Sequence, residues 1–268
     1  MSTGPGEATP VVQRLRVRYA KRGRMRFTSH RDFQRVLERA LRRAGLPVAY
    51  SGGFTPHPRI SYVGAAPTGA ASEAEYLELG LAARIDPRMA ARALDAALPE
   101  GFAVLDVVEA RGGDLASRID ASWWQLHLGG VDEAEVRSAV SAFLAAEAIP
   151  VERLMKDGRR QIDVRPPVQQ LTVTPDRRIH NDCVILDLVV RHVTPTVRPD
   201  DVMAGLRQVA GFAPPMPPLA TRMAQGHLEE TGRLADPLAP DREHPEREHS
   251  ADDRWRLTTV EGSSPSSV

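Results

Sequence analysis

The chain has 268 residues and 29.3 kDa, 42% hydrophobic and 5% aromatic, which suits one large or two small domains with cores built mainly from Val, Leu and Ala. Its single cysteine excludes disulfides, Cys-rich zinc sites and an iron–sulfur cluster held by this chain alone. No apolar run approaches the ~20 residues that span a bilayer, and residues 1–10 show neither a basic n-region nor an apolar h-region, so a soluble, cytoplasmic protein without a membrane partner is expected.

The zero net charge hides an asymmetry. Residues 11–60 carry 13 Arg or Lys against two acids, Asp32 and Glu38, while residues 61–219 carry 16 against 22, and residues 220–268 carry 6 against 10. Of the 35 basic residues 33 are arginine, and a composition bias alone would spread them evenly. The clustering is a functional signal.

Along the chain, residues 12–20 alternate as a half-buried strand, with Leu15, Val17 and Tyr19 on one face and Arg14, Arg16 and Arg18 outward. Residues 30–44 place Phe33, Val36, Leu37, Ala40, Leu41 and Ala44 on one stripe of a helix, capped by Ser29 with Asp32 three residues on and stopped by Gly45 and Pro47. Short strands are predicted around 47–51, 59–64 and 75–81, a helix at 86–97 and a strand at 102–109. The second half reads as a strand at 123–128, a helix at 132–147, and strands at 150–155 and 160–165 across an Asp157-Gly158 turn. Strands at 168–174 and 183–191 and a helix at 199–210 complete it. The fold class expected is α+β, with two tandem ferredoxin-like (βαββαβ-type) domains at 11–112 and 113–212. Residues 1–10 and the polar, Pro-rich 213–268 are expected to be disordered.

Within the basic block, Arg14, Arg16 and Arg18 lie on the strand and Arg22 and Arg24 follow in the turn. Arg31, Arg35, Arg39 and Arg42 fall within about 80° of arc on the helix, opposite its apolar stripe. Only Glu38 is placed to pair with them. Such a face is either simply solvated, docked on an acidic protein, or matched to phosphates, and density at this level favours phosphates. With no run of aromatics, binding is expected to be led by backbone and shape.

The segment Ser51-Gly52-Gly53-Phe54-Thr55-Pro56-His57-Pro58-Arg59 frees the backbone at its glycines and stiffens it at its prolines, presenting His57 and Arg59. His57 suits contact with phosphate or proton transfer.

Four stretches together resemble a known family: Ser29-His30-Arg31-Asp32, the basic helix through Gly45-Leu46-Pro47, Gly53-Phe54-Thr55-Pro56-His57-Pro58-Arg59-Ile60-Ser61, and Gly69 through Ser72 to Glu75-Tyr76. This is the radical SAM-linked (radical-SAM-associated) domain family, whose pattern spans roughly 12–212 here. One departure is Ala65-Ala66 before Pro67, where the family pattern has leucine. The resemblance implies a partner class, a radical SAM protein, rather than a reaction. That chemistry needs three cluster cysteines, and Cys183, in an apolar strand, reads as a core residue, so the cluster would belong to another chain.

His180 to Cys183 offers no second pair for a metal, and phosphate-loop, dinucleotide and nucleophile-elbow motifs are absent, so no cofactor or metal is expected. Trp123 is expected partly buried at the domain joint. The leading expectation is an accessory RNA-binding protein that presents RNA to a separate radical SAM enzyme. The alternatives are an RNA-processing or RNA-modifying enzyme with His57, and His30 as second candidate, in proton transfer, or a module docking on an acidic partner.

Overall fold

The computed structural model describes residues 7–155, 158–175 and 183–242. In chain order it runs β1 (Gln13–Lys21), α1 (His30–Arg43), β2 (Ile60–Val63), β3 (Ala71–Leu81), α2 (Pro87–Ala97) and β4 (Phe102–Glu109). There follow β5 (Ala121–Gly129), α3 (Glu133–Ala145), β6 (Pro150–Met155), β7 (Gly158–Asp163), β8 (Val168–Pro175), β9 (Cys183–Arg191), α4 (Pro199–Ala210) and β10 (Leu219–Gly226). Three of the four helices begin where the sequence supplies a cap for unpaired N–H groups: the Ser29, Asp86 and Asp132 side chains accept from the first turns of α1, α2 and α3.

The architecture is mixed α+β. β6 and β7 pair only with each other, and the other strands form one sheet in the order β4-β1-β3-β10-β5-β9-β8, with β2 added to β3. Each half runs strand–helix–strand–strand–helix–strand, ordered β4-β1-β3-β2 in the first and β10-β5-β9-β8 in the second, where the β6–β7 hairpin is inserted after α3. The sheet does not break between the halves. β10 pairs antiparallel with β5, from Leu219 opposite His127 to Gly226 opposite Ala121, and parallel with β3, Thr221 and Arg222 lying opposite Ala71 and Ser72.

This corrects the expectation of an unpacked tail from residue 213. Leu219–Gly226 is an interior strand, and beyond it Leu228, Leu234, Leu238 and Asp241 are buried. A Cβ at Gly226 would collide with the Ala235 carbonyl, so the return of the chain fits only glycine there. The stretch escapes hydropathy because two of its buried side chains, Arg222 and Gln225, are polar. The segment expected as a strand at 47–51 makes only isolated bridges, Val48 to Leu81 and Tyr50 to Pro58. Residues 1–6, Lys156-Asp157, 176–182 (with His180) and 243–268 lie outside the described residues.

One face of the sheet carries the helices. Phe33, Leu37, Ala40 and Leu41 of α1 and Ala90, Leu94 and Ala97 of α2 pack on Leu15, Val17, Leu77, Leu79 and Leu81. Val136, Val140 and Phe143 of α3 and Val202 and Leu206 of α4 pack on Leu126, Leu128, Leu186 and Leu188. At about 1.5–3 kcal/mol per buried large apolar side chain, these two clusters are the main source of stability. The opposite face is covered by loops, with Leu115, Ile119 and Leu238 against Ala74 and Tyr76, and Leu228 and Leu234 against Ala121 and Val189.

Candidate nucleic-acid interface

The arginines of β1 point away from α1, onto the loop-covered face, and this splits the basic block in two. Arg16 is 1% exposed. Its guanidinium meets Asp241 at 2.7 Å and Glu78 at 3.1 Å, and it donates to the Gly112 and Gly113 carbonyls. Arg16 is therefore corrected from a phosphate contact to the centre of a buried ion cluster that Arg118 completes at 2.6 Å from Asp241. The cluster holds Asp241 below the usual carboxylate range: burial works against the charge, but hydrogen bonds from Arg118, the Arg111 N–H and Arg16 outweigh it. Arg14 is exposed and paired with Glu78 at 3.0 Å. Arg18 is half-buried and donates to the Glu73 carbonyl at 2.9 Å, and Arg22 is bound by both oxygens of the Glu73 carboxylate. The charges of Arg14, Arg16 and Arg22 are thus neutralised, and the Arg18 guanidinium is tied to backbone.

The helix face is different. Arg31, Arg35, Arg39, Arg42 and Arg43 are exposed along α1. Arg35 lies 3.7 Å from Asp32 and Arg42 3.7 Å from Glu38, both loose pairs in water, worth at most about 0.5 kcal/mol each. Arg31, Arg39 and Arg43 have no ion pair among the described residues, and neither do Arg24 ahead of the helix nor Arg59 beyond the loop. Arg43 belongs to this surface as fully as the four arginines that spacing singles out; it was obscured because it sits at the helix end, beside the stop signal.

At the C-terminal half of α1 the loop 51–57 closes on itself. The Ser51 N–H donates to the His57 carbonyl at 2.9 Å, and the His57 N–H donates to Ser51 Oγ at 3.0 Å. Below this clamp the Arg59 N–H bonds the Ala49 carbonyl at 2.8 Å. Gly53 has φ +107°, a turn that a side chain would strain. Phe54 follows it at the tip, and the prolines brace the return limb. Pro56, His57 and Pro58 face Glu38, Leu41, Arg42 and Tyr50 across a cleft of about 150 Å³. An exposed imidazole and a guanidinium sharing one cleft suit an anionic group.

The other residues of the recognised pattern divide by role. Ser29 and Asp32 cap α1, the Ser29 hydroxyl donating to Asp32 at 2.7 Å and accepting from its N–H at 3.2 Å. His30 stands on the first turn, 3.1 Å from the Gln34 amide and edge-on to Tyr62 at 4.9 Å between ring centroids. Ser61 is exposed on β2. Glu75 and Tyr76 are buried. Glu75 pairs with Arg222 of β10 and accepts from the Ala66 N–H at 3.1 Å, while Arg222 lies 5.4 Å above the Trp124 ring. Burial works against the Glu75 charge, but Arg222, Ser72 and the Ala66 N–H hold it below the usual range. Glu75 therefore holds the sheet seam, and Tyr76 packs under the loops with Leu115, Ile119 and Leu238; neither forms a surface.

His30 and His57 are not brought together. His57 borders residues 38–42 of α1 and His30 its first turn, roughly 12–18 Å apart at 1.5 Å per residue. Among the described residues no group of three or more His, Cys, Asp or Glu is placed to hold a metal ion, and no helix is long and apolar enough to cross a membrane. Cys183 opens β9 half-buried rather than in the core, and half-buried Trp123 donates to Asp187 at 3.0 Å.

No curated protein matches the chain. Residues 14–199, which hold the basic helix, the clamped loop and the buried Glu75 and Tyr76, match the family described as an uncharacterized protein conserved in bacteria (DUF2344), and the chain belongs to that family.

Proposed function

We propose that this protein binds RNA through the outward face of α1 and the adjoining cleft, as an accessory that presents RNA to a radical SAM enzyme supplied as a separate chain. The observation that carries the RNA reading is the unneutralised helix face: among the described residues Arg31, Arg39 and Arg43 stand without an acid, while the strand arginines are all tied to protein groups. Dense like charge costs stability, and a polyanion offsets that cost. His57 beside Arg42 places a hydrogen-bonding group at the edge of the same face. The radical SAM partner rests on the sequence resemblance. The alternative proton-transfer pair of His57 and His30 loses support from their separation, which leaves binding as the better reading of both.

The test is fluorescence anisotropy with labelled RNA across a salt series. Arg31, Arg39 and Arg42 replaced together by Glu should abolish binding with an unchanged circular dichroism spectrum, because all three lie opposite the buried stripe. The slope of log K against log salt should fall by roughly 0.7–0.9 for each phosphate contact removed singly. Unchanged affinity in the triple variant would falsify the assignment.

A further inference from the structure

Six phenylalanines occur in the chain. Phe33, Phe102, Phe143 and Phe212 are buried, whereas Phe27 and Phe54 are 68% and 81% exposed. Among the described residues the other large apolar side chains left in solvent are Val, Leu and Met, none of them aromatic. Both exposed rings flank α1. Phe27 ends the short helical turn Gly23–Phe27, two residues before the Ser29 cap, with Arg24, Arg26 and Arg31 around it in sequence. Phe54 is the tip of the loop clamped by Ser51 and His57, whose proline limb lines the cleft with Arg42. A tied base, a glycine turn and two prolines hold a ring out in water instead of letting it fold onto the helix. That is how a recognition side chain is presented.

We propose that the ligand of this face is single-stranded RNA, with Phe27 and Phe54 as base-stacking platforms at the two ends of a phosphate track along α1; this rests on the RNA-binding reading above. In a duplex the bases stack on each other and their faces are closed to a protein ring. Unpaired bases offer those faces to any aromatic, whatever their identity, while arginines hold the backbone between them. The 14 residues of α1 span roughly 21 Å, so the two rings bracket several nucleotides, in line with sites of about four or more. The loose pairing of Arg35 and Arg42 leaves both free to turn to phosphate.

The probes are a fluorescein-labelled single-stranded uridine oligonucleotide and the same strand annealed to its complement, titrated onto the full chain. The single strand should bind more tightly. Phe27→Leu and Phe54→Leu should each weaken it by at least about fivefold, with the melting temperature unchanged since neither ring is packed, and Phe54→Trp should retain wild-type affinity. Equal or tighter duplex binding, or leucine variants that leave the single strand unaffected, overturns the stacking assignment while the RNA reading stands. Failure of both probes to bind overturns the two together.

Discussion

Arg222 provides the sharpest test of how the two halves of the sheet are joined. It lies on β10, is 3% exposed, and is the cation paired with Glu75 on β3, with Ser72 Oγ 3.4 Å from its Nε. Arg222→Met keeps much of the volume over Trp124 and removes the charge. Glu75 is then buried without its partner; Lys21, which also feels the Glu75 charge, is itself buried and has its ammonium pKa lowered by that burial. Breaking a buried pair in this way costs about 3–5 kcal/mol. For a chain of this size 1 kcal/mol shifts the melting temperature by about 2–4 °C, so a fall of roughly 6–20 °C follows. The exposed Arg14–Glu78 pair is the control: Arg14→Ala should cost at most about 1 kcal/mol.

The pH dependence carries the sign. In the wild type Glu75 titrates below its unfolded value, so its contribution is present above that value and is lost as pH falls through the lower, folded one. In Arg222→Met burial, the largest influence on Glu75, is opposed only by the Ser72 and Ala66 hydrogen bonds, so the folded carboxyl should move up past its unfolded value and stability should fall as pH rises through the new value. Thermal melts from neutral to acid pH should therefore converge for the two proteins, and Arg222→Met/Glu75→Gln should recover part of the loss at neutral pH. A single variant that melts within a degree or two of wild type, or a double variant no better than the single, would refute the account of the seam.

Two further outcomes are expected. A chain ending at Phe212 should not melt cooperatively, because it loses β10 and strands Glu75, Arg16 and Arg118, penalties that together reach a typical folding stability of about 5–15 kcal/mol; a wild-type melt for that truncation would contradict the sheet order. Gly53→Ala meets no atom within 4 Å, so its cost is the φ of +107° alone, about 1–3 kcal/mol confined to the loop. RNA affinity should drop with little change in melting temperature, and a variant that binds normally would show that the loop geometry does not matter.

Periodicity made most of this fold legible. The amphipathic stripe of α1 ends within a residue of where Gly45 and Pro47 stop it, and α4 spans the residues its pattern marks. What failed was any inference that needed to know what covers the second face of the sheet. The alternation of β1 is real, but the rule that arginine marks solvent breaks at Arg16, because Asp241 lies 225 residues away. β10 was illegible for the same reason: a strand flanked on both sides inside a sheet, with Arg222 and Gln225 buried, has no hydrophobic period to read. The clamped loop is visible in sequence as a glycine–proline segment presenting His57, but only the closure through Ser51 shows that Phe54 stands at the tip.

The two adjacent stretches of the recognised pattern therefore do opposite work. Residues 51–59 turn outward, where a glycine with positive φ and a clamped base hold up a ring beside Arg42, whose pair with Glu38 is loose. Residues 72–76 turn inward, where Ser72 and Glu75 take the charge of Arg222 and close the sheet between halves. β2 links them, pairing Ile60 to Val63 with Leu79 to Tyr76 of β3. Glu75 lies on the same strand, just beyond this pairing, so the loop's footing and the seam share β3. A disturbance at Arg222 should on this geometry reach the RNA face through β3 and β2, and weakened RNA affinity in Arg222→Met, measured well below its melting temperature, is the signature. Equal affinity there would show that the two stretches are neighbours in sequence only.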